Sequence, residues 1–253
     1  MRKFLHLSDR HIFREWSENE PLVILQEALN NRFSDHILLE SGDITDDGEH
    51  NQYRRVQWMM ADWQGRWFFC PGNHDYGKKG NFHERHRAER FDKMLSIPFG
   101  QGGTFCGDNK PVVNVIDDGQ AQIFIIALDS NRETVDPFDF ACGEIGHFQL
   151  KALSVILAEI PKDAVKIVLM HHHPWYHWNP WNPFMRLIDA QALLTRLRGK
   201  VDVLLFGHRH KAGIWQGKWN IPWSVAAPSS PGHPWLNEIV VDEGRVEIGR
   251  VSI

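Results

Sequence analysis

Five polar clusters, each directly after a short apolar run, limit the folding of this sequence more than any other feature. The clusters occupy residues 8–11, 41–46, 71–75, 171–174 and 207–210, and they read SDRH, SGDITD, PGNHD, HHHP and GHRH. Short apolar runs of this kind are typical of buried strands. Because ligands in open α/β sheets bind outside the carboxyl ends of the strands, we expect the five clusters to meet at one edge of the fold.

The side chains that would meet there are carboxylates, an amide and imidazoles, without a thiolate. Mixed oxygen and nitrogen ligands favour Mn, Fe, Co or Zn over Ca and Mg. Asp9 and His11 are two residues apart, so on an extended strand end they would share a face, and His208 and His210 repeat this spacing. Glycine precedes the polar residues in three of the clusters, where it lets the backbone pass close to a metal-bound group.

Along the whole sequence, short apolar runs alternate with helical patterns. Strands are predicted at 4–7, 37–39, 67–70, 123–128, 165–170 and 201–206, and helices at 22–33, 53–63 and 148–160. From Gly213 onward the pattern favours strands only. This order indicates an α/β fold in which part of the sheet is antiparallel. Since no linker or internal repeat divides the chain, residues 1–253 are expected to form one domain, with the polar region 76–103 as a surface excursion.

Charge and composition narrow the class of partner. The 253 residues carry a formal net charge of −4, and 42% of them are hydrophobic. This balance is typical of a globular protein and argues against a broad basic face for nucleic acid. Three cysteines without a CxxC pair indicate neither a disulfide framework nor a thiolate zinc site. With no signal peptide and no apolar run long enough to span a membrane, we expect a cytoplasmic protein.

Taken in order, the patterns DxH, GDxxD, GNHD, HHHP and GHxH resemble the motifs of the calcineurin-like metallophosphoesterase superfamily. They run from Asp9 to His210 and therefore cover most of the chain. The resemblance implies a four-layer αββα sandwich with mixed sheets and with the site above them. It also implies a hydrolase that holds two transition-metal ions (Mn, Fe or Zn) and attacks a small phosphate ester with a metal-bridging hydroxide.

The same resemblance assigns the metal ligands, motif by motif. The first ion would be held by Asp9, His11 and His210, the second by Asn73, His171 and His208, and both would be bridged by Asp43. Within HHHP the first histidine matches the family ligand, and a slip of one residue would select His172 instead.

Residues beside these ligands have expected roles of their own. In the family, the histidine that matches His74 faces the phosphate and donates a proton or stabilises charge, and Asp75 would orient it. Asp46 and Asp47 are interpreted as residues that support the ligands or form a turn, and not as ligands themselves. Arg10 lies between two ligands, where it would either meet the phosphate or extend to the surface.

Two shorter patterns favour one branch of the superfamily. Residues 128–130 (LDS) and 143–145 (GEI) resemble segments of its cyclic nucleotide phosphodiesterase-like and glycerophosphodiesterase-like members. The arginine of the protein-phosphatase pattern GDxVDRG is missing. The resemblance therefore implies a phosphodiesterase. A phosphomonoesterase acting on a small metabolite or nucleotide is the second hypothesis. A scaffold of the same fold without catalysis is the third, although all seven candidate ligands are present.

A tryptophan-rich stretch, 175–184, follows HHHP directly. Its prolines restrict the backbone, so we interpret the stretch as a stiff loop. Trp178 and Trp181 would either line the substrate pocket, where an indole can stack on a base, or pack against their own domain. The sequence leaves the oligomeric state open.

Overall fold

The computed structural model describes residues 1–13, 20–107, 109–117, 119, 121–132, 141–174 and 184–253. The strands of this described part are β1 (Arg2–Leu7), β2 (Ile37–Glu40), β3 (Trp67–Phe69), β4 (Val112–Asp117), β5 (Gln122–Ala127), β6 (Val165–Leu169), β7 (Val203–Phe206), β8 (Gly213–Gln216), β9 (Trp223–Ala226), β10 (Trp235–Asp242) and β11 (Arg245–Ser252). They form a five-stranded sheet in the order β11-β10-β1-β2-β3 and a six-stranded sheet in the order β4-β5-β6-β7-β9-β8.

Six α-helices connect and cover these strands within the described residues. They are α1 (Glu20–Arg32), α2 (His50–Met59), α3 (Asn73–Tyr76), α4 (Arg85–Phe91), α5 (His147–Glu159) and α6 (Ala190–Leu197). A π-helical turn, Asp92–Ser96, continues α4.

Both sheets are mixed, and in each the central strands are parallel. In the first sheet β1, β2 and β3 run parallel, while β10 returns antiparallel to β1 with Phe4 opposite Ile239. In the second sheet β5, β6, β7 and β9 run parallel, and β4 and β8 lie antiparallel at the edges. The carboxyl ends of the parallel strands therefore provide the edge at which a site can form.

Alternating side chains of the second sheet divide the apolar interior into two cores. Ile167 on β6 belongs to the core that also contains Phe4 and Leu38 of the first sheet, together with Leu25 of α1. Its neighbour Val168 belongs to the core formed with α5 and α6. Since successive strand residues point to opposite faces, helices flank two facing sheets. The predicted four-layer αββα sandwich with mixed sheets is confirmed.

Most predicted elements are present, but the region 76–103 is not a surface excursion. Tyr76, Phe91 and Leu95 are buried in the core beside the first sheet. The many polar residues of this region concealed the sparse apolar positions of α4 and its π-helical continuation. Strand β4 and helix α6 were also not predicted from the sequence.

Among the described residues, no helix is long and apolar enough to cross a membrane. Trp178 and Trp181 lie outside the described residues, so the two interpretations of the tryptophan-rich stretch stay predictions. The interpretation of residues 1–253 as one domain also stays a prediction.

Candidate metal centre

Loops at the carboxyl ends of β1, β2, β3, β6 and β7 bring the five polar clusters together. Hydrogen bonds between the loops set their relative positions. The backbone N–H of Asp9 donates to the Gly42 carbonyl at 3.0 Å, and that of His208 donates to Asp9 Oδ2 at 3.2 Å. The backbone N–H of His74 donates to Asp43 Oδ1 at 2.9 Å. Residues far apart in the sequence thus share one small volume.

Most of the expected ligands have a left-handed backbone conformation. The φ angles are 53° at Asp9, 45° at His11, 52° at Asp43, 70° at His208 and 51° at His210. These angles correct the expectation of an extended strand end, because the chain bends at Asp9 and at His11, although the two side chains still lie on one side of the loop. Aspartate and histidine enter the left-handed region more readily than most residues, which agrees with their use here.

One group of potential metal-binding atoms comes from Asp9, His11 and His210. All three atoms lie within 4.8 Å of one another. His210 Nε2 is 3.2 Å from Asp9 Oδ1 and 3.3 Å from His11 Nε2. A carboxylate and two imidazoles at this separation could hold one transition-metal ion.

A second group comes from Asp43, His171 and His208, whose ligand atoms also lie within 4.8 Å of one another. The side-chain oxygen of Asn73 points into this group. It is 2.9 Å from His171 Nε2 and 3.0 Å from His208 Nδ1. The four side chains offer two oxygens and two nitrogens, a set that could hold a second ion.

Asp43 lies between the two groups. Its Oδ2 atom is 3.2 Å from His171 Nε2 and 3.8 Å from His11 Nε2. Asp43 also forms a third possible ligand group with His11 and His74. A carboxylate that faces imidazoles on both sides is suitably placed to bridge two cations.

Neighbouring groups fix which atom each side chain offers. His171 Nδ1 donates to the Ser41 carbonyl at 2.7 Å, which leaves Nε2 as the ring atom that faces Asp43. The side-chain N–H of Asn73 donates to the Gly80 carbonyl at 2.9 Å, so its oxygen faces the histidines. His11 Nδ1 is 3.4 Å from the Asp46 carboxylate. Metal-binding histidines in proteins are commonly held through the second ring nitrogen in this way.

The two adjacent histidines of HHHP have different surroundings. His171 faces Asp43 and Asn73. The ring of His172 instead bonds through Nδ1 to the Ser130 hydroxyl at 2.8 Å. Of the two alternatives left by the sequence, the geometry therefore favours His171, the first histidine of the motif, as the residue that faces the site.

The electrostatic field at the site favours positive charge. Burial lowers the pKa of His171, but the nearby Asp43 carboxylate outweighs this effect and raises it to about 9. Burial likewise lowers the pKa of His11, while Asp46 and Asp43 raise it to about 9. Because the carboxylates outweigh desolvation at His171 and His11, this part of the site is complementary to cations.

His74 is oriented by Asp46 and not by Asp75. The Nδ1 atom of His74 donates to the backbone carbonyl of Asp46 at 2.7 Å. The buried Asp75 carboxylate accepts hydrogen bonds from the backbone N–H groups of Thr45 and Gly72 at 2.8 and 2.9 Å. Asp75 thus joins the loops after β2 and β3. The adjacent side chains of His74 and Asp75 point in different directions on α3, and of these two only His74 faces the site. The catalytic assignment of Asp75 stays a prediction.

Arg10 neither meets the site nor extends to the surface. Its side chain is fully buried, and its Nε and Nη2 atoms bind the two carboxylate oxygens of Glu40 at 2.6 and 2.7 Å. Both sequence-based alternatives for Arg10 are therefore wrong. The reason is the left-handed bend on either side, which directs Asp9 and His11 to one side of the loop and Arg10 into the interior.

Gly72, the glycine of the third cluster, lies where the backbone passes close to Asp43. A Cβ atom on Gly72 would collide with the side chain and the backbone nitrogen of Asp43. Only glycine leaves room for the loop after β3 to pass beside this carboxylate.

Sequence reasoning missed three groups that shape the site. They are the carbonyl of Ser41, the carbonyl of Gly80 and the side chain of Glu40. Backbone carbonyls have no sequence signal. Glu40 did have one, since it is an acidic residue at the end of the apolar run 37–39.

Comparison with known proteins identifies a family model and several relatives that match the sequence of this chain. A family model described as calcineurin-like phosphoesterase matches residues 2–212. The 3',5'-cyclic adenosine monophosphate phosphodiesterase CpdA of Escherichia coli K12 is 25% identical over 240 residues, which cover 90% of this chain and 76% of the relative. CpdA of Haemophilus influenzae is 23% identical over 242 residues, with the same coverage of both chains.

Solved structures with the same fold have lower sequence identity. A dimetal phosphatase from Danio rerio aligns with a TM-score of 0.68 and 16% identity, covering 99% of this chain and 98% of that one. A purple acid phosphatase, PPD1, from yellow lupin aligns with a TM-score of 0.64 and 12% identity, covering 99% of this chain and 51% of that one. At these identities the likeness supports the fold alone.

Proposed function

This chain belongs to the calcineurin-like phosphoesterase family, and from that membership we propose that it is a binuclear metal-dependent phosphodiesterase acting on a cyclic nucleotide or a similar small diester. The family implies a dimetal centre and a phosphoesterase activity. The choice of a diester is our proposal.

One observation carries the proposal: two groups of ligand atoms meet at Asp43. The group of Asp9, His11 and His210 lies on one side, and the group of His171 and His208 on the other. We assign the first ion to the first group, and the second ion to the second group together with Asn73, whose amide oxygen contacts both of its histidines. Asp43 would bridge the two ions.

When bound, two such ions supply Lewis acidity toward the phosphoryl oxygens and an activated water molecule. The protein supplies the orientation of the remaining groups. His74 is fixed through Nδ1 to the Asp46 carbonyl, so its Nε2 atom is the one left to contact a substrate. A protonated imidazole held in this way can release its Nε2 proton to the leaving-group oxygen.

The sequence relatives favour a diester over a monoester. CpdA of two bacteria and a probable cyclic nucleotide phosphodiesterase of Vesicomyosocius okutanii are named for cyclic nucleotide cleavage. Identities of 23–27% support the family more strongly than the substrate. The substrate class therefore needs a direct test.

Parallel assays on bis-p-nitrophenyl phosphate, p-nitrophenyl phosphate and 3',5'-cyclic AMP test the proposal. Protein reconstituted with Mn²⁺ should bind two ions per chain and hydrolyse the diester at least about tenfold faster than the monoester, a margin of about 1.4 kcal/mol in activation free energy. Asp43→Asn should lose both ions and the activity. The exposed variant Asp163→Asn is the matched control and should retain both.

Faster hydrolysis of the monoester would show that the protein is a phosphomonoesterase and not a phosphodiesterase. Two bound ions without hydrolysis of any of the three substrates would favour the catalytically silent scaffold.

We also propose that Trp178 and Trp181 contribute to the wall of the substrate pocket. Both residues follow HHHP closely in the sequence. Replacing the one that lines the pocket by alanine should raise KM for the natural substrate and leave kcat nearly unchanged, because such stacking stabilises the bound substrate and the transition state equally. Lower melting temperatures without a change in KM for either variant would show that both indoles pack in the protein interior.

A cytoplasmic location belongs to the same proposal. Cys70, Cys106 and Cys142 form no disulfide with one another, which agrees with a reducing compartment.

A further inference from the structure

The ion pair of Arg10 and Glu40 is buried beside the candidate metal centre and has no part in the proposed hydrolysis. Arg10 and Glu40 both have fully buried side chains, and the guanidinium binds both carboxylate oxygens. The indole N–H of Trp67 donates to Glu40 Oε2 at 2.9 Å. The guanidinium carbon of Arg10 also lies 5.3 Å from the centre of the Trp67 ring. The pair therefore has a fixed geometry and no access to solvent.

The pair joins the two loops that carry the expected ligands of the first ion and the bridging carboxylate. Arg10 lies between Asp9 and His11, and Glu40 ends β2, three residues before Asp43. Backbone bonds run in parallel with the side-chain pair: the N–H of His11 donates to the Asp43 carbonyl at 3.0 Å. Asp9 and His11 have left-handed φ angles of 53° and 45°, a costly conformation that persists only where surrounding contacts impose it.

We propose that the Arg10–Glu40 pair is a positioning device for the first metal ion, setting the separation between Asp9 and His11 on one loop and Asp43 on the next. The pair contacts neither substrate nor metal. Its effect passes through the loop backbone. This inference rests on the proposed two-metal function.

The chemistry of the pair agrees with this role. A buried ion pair adds little net stability, because desolvation of both charges offsets their attraction, but a bidentate pair restricts both partners to one geometry. Apart from the shared Asp43, the second ion depends on Asn73, His171 and His208, which lie on other loops. Loss of the pair should therefore affect the two ions unequally.

The double variant Arg10→Met with Glu40→Gln tests this role without leaving a buried charge. Glutamine keeps an acceptor for the Trp67 indole, and methionine fills the space of the arginine stem. We would measure Mn²⁺ binding by titration calorimetry in two single-site backgrounds. His208→Ala lacks a ligand of the second ion and reports the first site, while His210→Ala lacks a ligand of the first ion and reports the second.

In the His208→Ala background, the double variant should bind Mn²⁺ about 10- to 100-fold more weakly, the range found when groups that orient metal ligands are removed. In the His210→Ala background, its affinity should change by less than about threefold, well below that range. Glu238→Gln, which removes the charge from a part-buried contact to His36 at the opposite end of β2, is the matched control and should change neither affinity.

Unchanged affinity for the first ion would overturn the inference, as would an equal loss at both sites, since equal loss is expected of a purely structural pair. Failure of the parent protein to bind any Mn²⁺ would instead refute the proposed two-metal function. Denaturant unfolding of the metal-free double variant is the control for folding. A midpoint equal to that of the parent verifies that the comparison is made on a folded protein.

Discussion

At the scale of single residues, five of the seven proposed ligands share a left-handed backbone angle: Asp9, His11, Asp43, His208 and His210. Each such angle costs on the order of 1–3 kcal/mol and persists only where surrounding contacts impose it. Here those contacts include the backbone bonds between the ligand loops and the buried Arg10–Glu40 pair. These strained conformations direct side chains into one small volume from loops that follow strands of both sheets.

Replacement of His74 by alanine tests the division between ligands and acid–base groups. His74→Ala should lower kcat about 10²- to 10⁴-fold, the usual contribution of a positioned proton donor. The metal content should stay at two ions per chain, because we assign His74 to neither ion. Steady-state kinetics and elemental analysis of the same preparation provide the measurement.

The exposed histidine His86 provides the control for this substitution, and His86→Ala should change neither value. Loss of one ion from His74→Ala would show that the group of His11, Asp43 and His74 holds metal and that our assignment is wrong.

Replacement of His6 tests a pH effect on stability. Burial lowers the pKa of His6 to about 3, with the Asp9 charge opposing this shift. As pH falls below about 6.5 the unfolded chain takes up a proton at this residue, whereas the folded protein does not. Stability is therefore lost with falling pH, by up to about 1.4 kcal/mol per pH unit. In His6→Gln, the loss between pH 6.5 and 5 should be smaller by about 2 kcal/mol.

Denaturant unfolding of metal-free protein at several pH values measures this difference. His50→Gln, at an exposed position, should keep the pH dependence of the parent. A His6→Gln curve parallel to that of the parent would contradict the effect.

At the scale of elements, the carboxyl ends of parallel strands decide where the site forms, and short segments after them decide its details. Helix α3 begins shortly after β3 ends, and its first two residues are Asn73 and His74. The turn that follows it returns Gly80, whose carbonyl accepts the side-chain N–H of Asn73. The segment after α3 therefore helps to set the direction of one proposed ligand.

Gly80→Ala tests the contribution of this turn. Gly80 has a φ of 71°, and an added Cβ would lie 2.5 Å from Asn73 Nδ2 and from His74 Nε2. Alanine should therefore displace both side chains and reduce both kcat and the affinity for the second ion by about tenfold or more. Gly100→Ala is a matched control, because Gly100 also has a positive φ, 62°, but nothing lies near its added Cβ.

Both variants should lose about 1–2 kcal/mol of stability, the cost of a left-handed backbone at alanine, and Gly80→Ala should lose more because of its steric clash. Only Gly80→Ala should lose activity and metal. Equal behaviour of the two variants in kinetics and calorimetry would show that the turn has no part in positioning the site.

At the scale of the whole molecule, the proposed ligands come from both sheets. Asp9, Asp43 and Asn73 follow strands of the first sheet, while His171 and His208 follow strands of the second. Two bound ions would therefore connect the sheets at one edge, in addition to the apolar core between them.

Chelation of the metals should lower the melting temperature. A ligand at 100 times its dissociation constant stabilises the folded state by about 2.7 kcal/mol. In a chain of this length, loss of such a contribution lowers Tm by roughly 5–10 °C. Thermal unfolding with and without EDTA measures the shift, and Asp43→Asn should show little further loss on chelation. An identical Tm for the parent in both conditions would contradict binding across the two sheets.

Much of the fold and of the candidate site could be predicted from the sequence. Short apolar runs that alternate with helical patterns and end in polar clusters predict parallel strands whose carboxyl ends converge, because element type, element order and ligand chemistry can all be read from the sequence. The five polar clusters were identified in this way, and the resemblance to the superfamily selected the seven ligand candidates within them. The described structure brings these seven residues together.

Tertiary structure alone decided the rest. The final strands all read alike in sequence, yet β8 and β9 join the second sheet and β10 and β11 join the first, since pairing depends on long-range contacts. The left-handed angle at Asp9, the choice of Asp46 over Asp75 as partner of His74 and the burial of Arg10 against Glu40 likewise depend on neighbours distant in the chain. A local pattern specifies which residues are available, whereas packing between distant segments selects their partners.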